Sequence, residues 1–180
     1  MHRLHAFSGL PTLAIVGLLL GSVLTGVLLA YGLGFLSLSP NQENVPFNTI
    51  LYGQGAEGYT QPANLAIDDP GNWSKVFSQA FQANCSSPCA PPQVNFTSRT
   101  VIAVFLGREP NGGYGIKIQQ IARAGSSLIV RVSVADPHVV EPGGKLCQYP
   151  EILVYPFEIV DIPKMDLRPT FITQTVGSCQ

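Results

Sequence analysis

The residues best suited to proton transfer in this chain are Asp136, His138 and Glu141, which lie close together in a loop rich in Pro and Gly. His138 is the only histidine beyond the first few residues. An imidazole held by a carboxylate acts as a general base, and with a serine it forms an acyl-transfer triad. No G-x-S-x-G stretch supplies a nucleophile elbow, so nothing local supports such a triad, which would have to assemble in space. Asp68 and Asp69 look like paired carboxylates, but adjacent acids directly before Pro70 are better explained by capping of a helix start. Glycosidases also use two carboxylates, and no spacing singles out a pair among the eleven acids. Gly112 and Gly113 lack the lysine and the strand-to-helix setting of a phosphate-binding loop. No constellation here assembles nucleophile, base and electrostatic stabiliser. The expectation is a protein that is not an enzyme and takes no cofactor.

The four cysteines are Cys85, Cys89, Cys147 and Cys179. As metal ligands they are poorly arranged, since the single C-x3-C pair has no second pair and only His138 to add. As disulfide candidates they suit an oxidising compartment. Cys85 and Cys89 would close a small loop and leave Cys147 to Cys179; four cysteines allow three pairings and spacing alone does not choose. Asn72-Trp-Ser, Asn84-Cys-Ser and Asn95-Phe-Thr are glycosylation acceptors in a host that modifies exported proteins.

That compartment is argued from the N-terminal segment. From Leu4 to Gln42 there is no Lys, Arg, Asp or Glu, and Pro11 to Leu38 is almost wholly apolar. About 20 helical residues cross a hydrocarbon core of about 30 Å. Residues 1–38 therefore read as a signal-anchor, a single transmembrane helix. Arg3 on the N-terminal flank places the remainder outside. Cleavage as a signal peptide is the alternative, and it would secrete the rest. Residues 39–46 read as a polar linker and 47–180 as one exported domain of about 140 residues, large enough for its own core. Formal net charge is −1. With Arg3 set aside, nine basic residues face eleven acidic ones, so no cationic surface is available to neutralise nucleic-acid phosphates.

The exported part reads as mainly β. Phe47–Tyr52 is a first strand. Asp69 and Pro70 open a short helix on which Trp73, Val76, Phe77, Ala80 and Phe81 share one face. Thr100–Leu106 is apolar on both faces and predicts a central strand covered on two sides. Asn111-Gly112 predicts a type I′ hairpin into an alternating strand, Tyr114–Ala122. Gly125-Ser126 turns the chain into Leu128–Val134, and these three strands are expected to form an antiparallel meander. Ile152–Tyr155 and Phe157–Ile162 are two further short strands, and Phe171 and Ile172 mark one more at an edge. The fold expected is an antiparallel β-sheet or sandwich-like domain with one short covering helix, preceded by the N-terminal transmembrane helix.

Within it, Val101–Ile121 (VIAVFLGREPNGGYGIKIQQI) resembles the C-terminal domain of the protease complex subunit PrcB family: a hydrophobic strand, a G-x-x-x-x-G-G-Y turn, then an alternating strand. The resemblance continues through Leu128–Val134 and Tyr149-Pro150 to Ile159–Lys164, covering residues 101–164. It departs from the family pattern where Glu151–Pro156 separates Pro150 from the last strand. The resemblance implies an exported, membrane-associated partner of a protease, acting as chaperone, tether or regulator without catalysis of its own. The 108–114 turn is the expected contact loop, since Arg108, Glu109, Asn111, Gly112, Gly113 and Tyr114 combine turn chemistry with side chains common at interfaces. Pro110–Tyr114 also resembles the N-P-T-T-G-Y loop of chagasin-like cysteine-protease inhibitors, although their later R-P-W element is absent. Direct protease inhibition through this loop is the first alternative function, and an extracytoplasmic enzyme or small-ligand binder the second.

Overall fold

The computed structural model describes residues 42–83, 90–140 and 147–178. The apolar segment 1–38 lies outside the described residues, as do Asn84, Cys85, Cys89, Glu141 and Cys179. Among the described residues no helix is long and apolar enough to cross a membrane.

The described residues form eight strands and one helix, in chain order β1 (Gln42–Asn44), β2 (Asn48–Gly53), β3 (Ala63–Ile67), α1 (Pro70–Phe81), β4 (Arg99–Phe105), β5 (Gly115–Ala124), β6 (Ser127–Asp136), β7 (Phe157–Pro163) and β8 (Pro169–Gly177). They form two four-stranded sheets, ordered β1-β5-β6-β8 and β2-β7-β4-β3. All pairings are antiparallel except β6 with β8, which is parallel.

The second sheet is the middle of three layers, and the reason lies in β4. Its residues are apolar on both pleat faces, so each face needs a cover. Val101, Ala103 and Phe105 pack with Trp73, Phe77, Ala80 and Phe81 of α1. Ile102 and Val104 pack with Ile118, Ile121, Leu128, Val130 and Val132 of the first sheet. Its neighbour β7 divides likewise, with Phe157 and Ile159 toward the helix and Val160 and Ile162 toward the other sheet.

The helix forms where its capping residues predict. Asp69 has extended backbone angles and its carboxylate accepts the Asn72 N–H at 2.9 Å, with Pro70 in the first turn. The helix N–H groups hold the Asp69 carboxyl below its usual range, the Asn72 backbone bond being the largest cause. Trp73 is buried and its indole N–H donates to the Pro92 carbonyl at 2.9 Å. On the other flank Gly58 approaches the helix so closely that a Cβ there would lie 1.6 Å from the Gln79 carbonyl oxygen.

One polar tie joins three strands within the second sheet, and another crosses between the sheets. The Arg99 guanidinium grips the Asp161 carboxylate with two nitrogens, and Asn48 donates to the same carboxylate at 3.0 Å, so one acid joins β2, β4 and β7. Glu158 points into the space between the sheets at 5% exposure, where its carboxylate accepts the backbone N–H of Ile118. β5 breaks register against β6 between Ile118 and Gln120, and a side chain from the facing sheet satisfies the donor there.

Several sequence expectations change. Asn111 and Gly112 form no type I′ turn: among the described residues positive φ occurs only at Gly53, Gly107 and Gly125. β4 and β5 lie in different sheets, so the 106–114 connection is a crossing between layers and the three-strand meander reduces to the β5–β6 hairpin. That hairpin turns on Gly125-Ser126, with φ +61° at the glycine and no positive φ at the serine, the pattern of a type II′ turn. Gly107, at φ +96°, makes the crossing possible; a Cβ there would also press on the Gln61–Pro62 backbone at 3.0–3.2 Å. Ile152–Tyr155 is not a strand but two isolated bridges, Val154 with Glu109 and Tyr155 with Gly55. Part of the expected linker is ordered structure, since β1 pairs with the end of β5 and buried Val45 donates to the Ile121 carbonyl at 2.8 Å.

Candidate interaction surface

The crossing from β4 to β5 brings the 108–114 loop against the segment 149–155. Glu109 and Val154 exchange both backbone bonds, at 2.8 and 3.0 Å, and the Gly112 N–H donates to the Pro150 carbonyl at 3.1 Å. From below, the Gln54 side-chain amide donates to the Gly112 and Tyr114 carbonyls at 3.2 and 2.9 Å. The Asn111 side chain turns inward and accepts the Gly113 N–H at 2.9 Å. The loop is thus held along its length by its neighbours.

That fixing decides which of the expected contact residues face solvent. Arg108 is exposed, while Glu109, Asn111, Gly112 and Tyr114 are half-buried and Gly113 is buried. Gly113 lies under the ring of Tyr149, whose hydroxyl donates to the Ser178 carbonyl at 3.0 Å. Pro110 is exposed beside Arg108. Across the Glu109–Val154 bridge stand Ile152 and Leu153, each 55% exposed. The sequence predicts a short strand over these residues. The signal against that was present: Pro150 and Pro156 bracket the segment, and proline does not donate to a ladder.

At the loop's end the chemistry-bearing residues do meet. The Tyr114 hydroxyl lies 3.1 Å from His138 Nδ1, and the Asp136 carboxylate lies 3.1 Å from the same nitrogen while accepting the His138 backbone N–H at 2.8 Å. Burial, then the nearby Asp136 and Glu109 charges, push the Tyr114 hydroxyl up. Burial and the Asp136 carboxylate push Glu109 up as well. Carboxylate and hydroxyl both address Nδ1, whereas a relay needs its two partners on opposite ring nitrogens. The cluster therefore anchors the 136–140 loop to Tyr114. Among the described residues no group of three or more His, Cys, Asp or Glu is placed to hold a metal ion.

The remaining sequence candidates lie elsewhere. Asn72 is exposed on the first turn of α1, its amide bonded to Asp69 at 2.6 Å. Asn95 is exposed in a turn where its side-chain oxygen accepts from the Thr97 hydroxyl at 2.6 Å. Cys147 precedes Tyr149 by two residues, on the rim of the surface.

Fold and surface together define a two-sheet β domain with a rigid loop cluster at one end, a scaffold suited to binding. Residues 100–163, which span β4 to β7, match the family model for PrcB C-terminal, and the match places this segment in that family. No curated protein and no solved structure matches the chain.

Proposed function

We propose that this protein is a membrane-anchored, extracytoplasmic interaction domain that serves a protease complex without performing catalysis, as chaperone, tether or regulator. The family of residues 100–163 supports association with a protease complex. The observation that carries a docking role is the exposed Ile152–Leu153 pair, flanked by Pro150 and Val154, whose backbones bond to Gly112 and Glu109 of the 108–114 loop. An apolar centre on a backbone fixed at both sides is how binding surfaces are built. The inward turn of Asn111 and the burial of Gly113 favour docking by this surface over insertion of the loop into a protease cleft. The apolar run from Pro11 to Leu38 supports the membrane anchor. Tyr149, two residues after Cys147, bonds to Ser178, the residue before Cys179 in sequence, and this supports a disulfide between those two cysteines.

The test is cross-linking of the tagged full chain in native membranes, followed by mass spectrometry, beside an Ile152→Asp/Leu153→Asp variant. A protease recovered with the first and lost with the second is the expected result. The same proteins recovered with both would overturn the assignment of this surface.

A further inference from the structure

An open sheet edge displays unpaired backbone donors and acceptors, and native proteins guard such edges with bulges, short strands, prolines or charges. Three of the four edges in this fold are guarded. β1 has three residues, β2 carries a bulge between Thr49 and Leu51, and β3 is five residues long between Pro62 and the Asp68-Asp69 pair. The fourth edge, β8, is different. It pairs with β6 over nine residues without a register break. Beyond Pro169 it has no charge and no proline, and Thr170, Ile172, Thr173, Gln174 and Thr175 are exposed. Among the described residues no strand other than β6 pairs with it.

We propose that β8 is the docking edge for a second copy of this chain, the two β8 strands pairing antiparallel about Thr173 to join two four-stranded sheets into one of eight. The stretch Thr170–Val176 is suited to pair with itself. Centred on Thr173, it sets Thr173 opposite Thr173 of the partner subunit, Phe171 opposite Thr175 and Ile172 opposite Gln174. Threonine pairs and β-branched neighbours are favourable across strands, and with no charged residue the symmetric pairing meets no like-charge repulsion. In a parallel ladder only alternate residues direct their backbone groups outward. A register centred on one residue matches odd with odd and even with even, so outward groups meet outward groups. Ile172, 43% exposed, then meets its own symmetry mate diagonally across the join. Seven residue pairs bury less than the roughly 800 Å² per partner of a standard interface, so the dimer is weak and concentration-dependent.

The test is the mass of the purified full chain by sedimentation, for the natural sequence, Thr173→Lys, Thr173→Glu and an equal mixture of the two variants. Thr173 is exposed, and Trp73 fluorescence reports that the fold is kept. The expected result is a dimer of the natural chain at about 100 µM, a loss of dimer of at least tenfold in affinity (about 1.4 kcal/mol) in each variant alone, and recovery in the mixture. A natural chain that stays monomeric at that concentration would overturn the proposal. So would variants that dimerise undiminished, or a mixture that fails to recover.

Discussion

Tyr149 lays its ring where a side chain on Gly113 would stand: a Cβ there would be 2.5 Å from Cδ2 and 2.7 Å from Cε2. Gly113 is therefore glycine for space, since its φ is not positive. Gly113→Ala should cost about 1–3 kcal/mol in urea unfolding, the usual penalty for overpacking. In a Tyr149→Ala background the same substitution should cost far less. Equal costs in the two backgrounds would show that the ring is not the obstacle.

Gly58 makes a harsher version of the same demand. The obstacle is the backbone carbonyl of Gln79, which has no rotamer through which to retreat. Gly58→Ala should cost about 3 kcal/mol or more, exceeding Gly113→Ala. Parallel denaturant titrations of the two variants check the order.

Asp161 and Glu109 should shape the pH dependence of stability in opposite ways. Hydrogen bonds from Arg99, then Asn48, lower the Asp161 carboxyl. The native state then binds fewer protons than the unfolded chain. Its contribution is complete above the unfolded value of about 3.9 and is lost as pH falls through the folded one. Asp161→Asn should remove that acid-limb loss and cost about 1 kcal/mol at neutral pH. Burial and then Asp136 raise Glu109, so its ionisation works against folding as pH rises through the carboxylate range. Glu109→Gln should therefore stabilise the protein at neutral pH and leave it unchanged below that range. Thermal midpoints from pH 2 to 8 for both variants decide the signs.

Trp73 is the chain's only tryptophan, and it is buried against Phe77 with ring centroids 5.4 Å apart. Its emission should be blue-shifted and move red on unfolding. Trp73→Phe forfeits the bond to Pro92, worth about 1 kcal/mol, while Trp73→Ala should cost about 3–5 kcal/mol.

Glu158→Ala would strand the buried Ile118 N–H and should cost about 1–3 kcal/mol. Glu158→Gln keeps a carbonyl acceptor and should cost less. Unfolding curves for the pair separate loss of the acceptor from loss of the charge.

The elements were legible wherever burial imposes a period. The α1 face, the doubly covered β4 and the alternation of β6 follow from apolar spacing, and Asp69-Pro70 marks the helix start because the local chemistry suffices. Sheet membership was not legible. Whether β5 pairs with β4 or crosses to another layer depends on Gly107 and its packing on Gln61–Pro62, a contact between distant parts of the chain. The Asn-Gly pair that promises a tight turn is overridden there by bonds to Pro150 and Gln54. For the site, the loop was found but not its facing. Gly113, expected to shape a turn, is packed under Tyr149, and the exposed apolar pair lies in a segment expected to be a short strand. The burial of Glu158 is not legible, because one acid in an alternating strand normally points to water; here the Ile118 N–H at the bulge and the Thr49 hydroxyl give it partners inside.

The parallel pairing of β8 with β6 sets an order of assembly. Between those two strands the chain passes through β7, which belongs to the opposite sheet. Pairing β8 with β6 closes that long excursion, and the entropic cost is smaller once β7 has been laid between β2 and β4, so the β6–β8 pairing is expected to form last. In refolding, amide protection should reach the β4–β7 ladder before the β6–β8 ladder, and the strand that completes the first sheet acts as the closing stitch of the second.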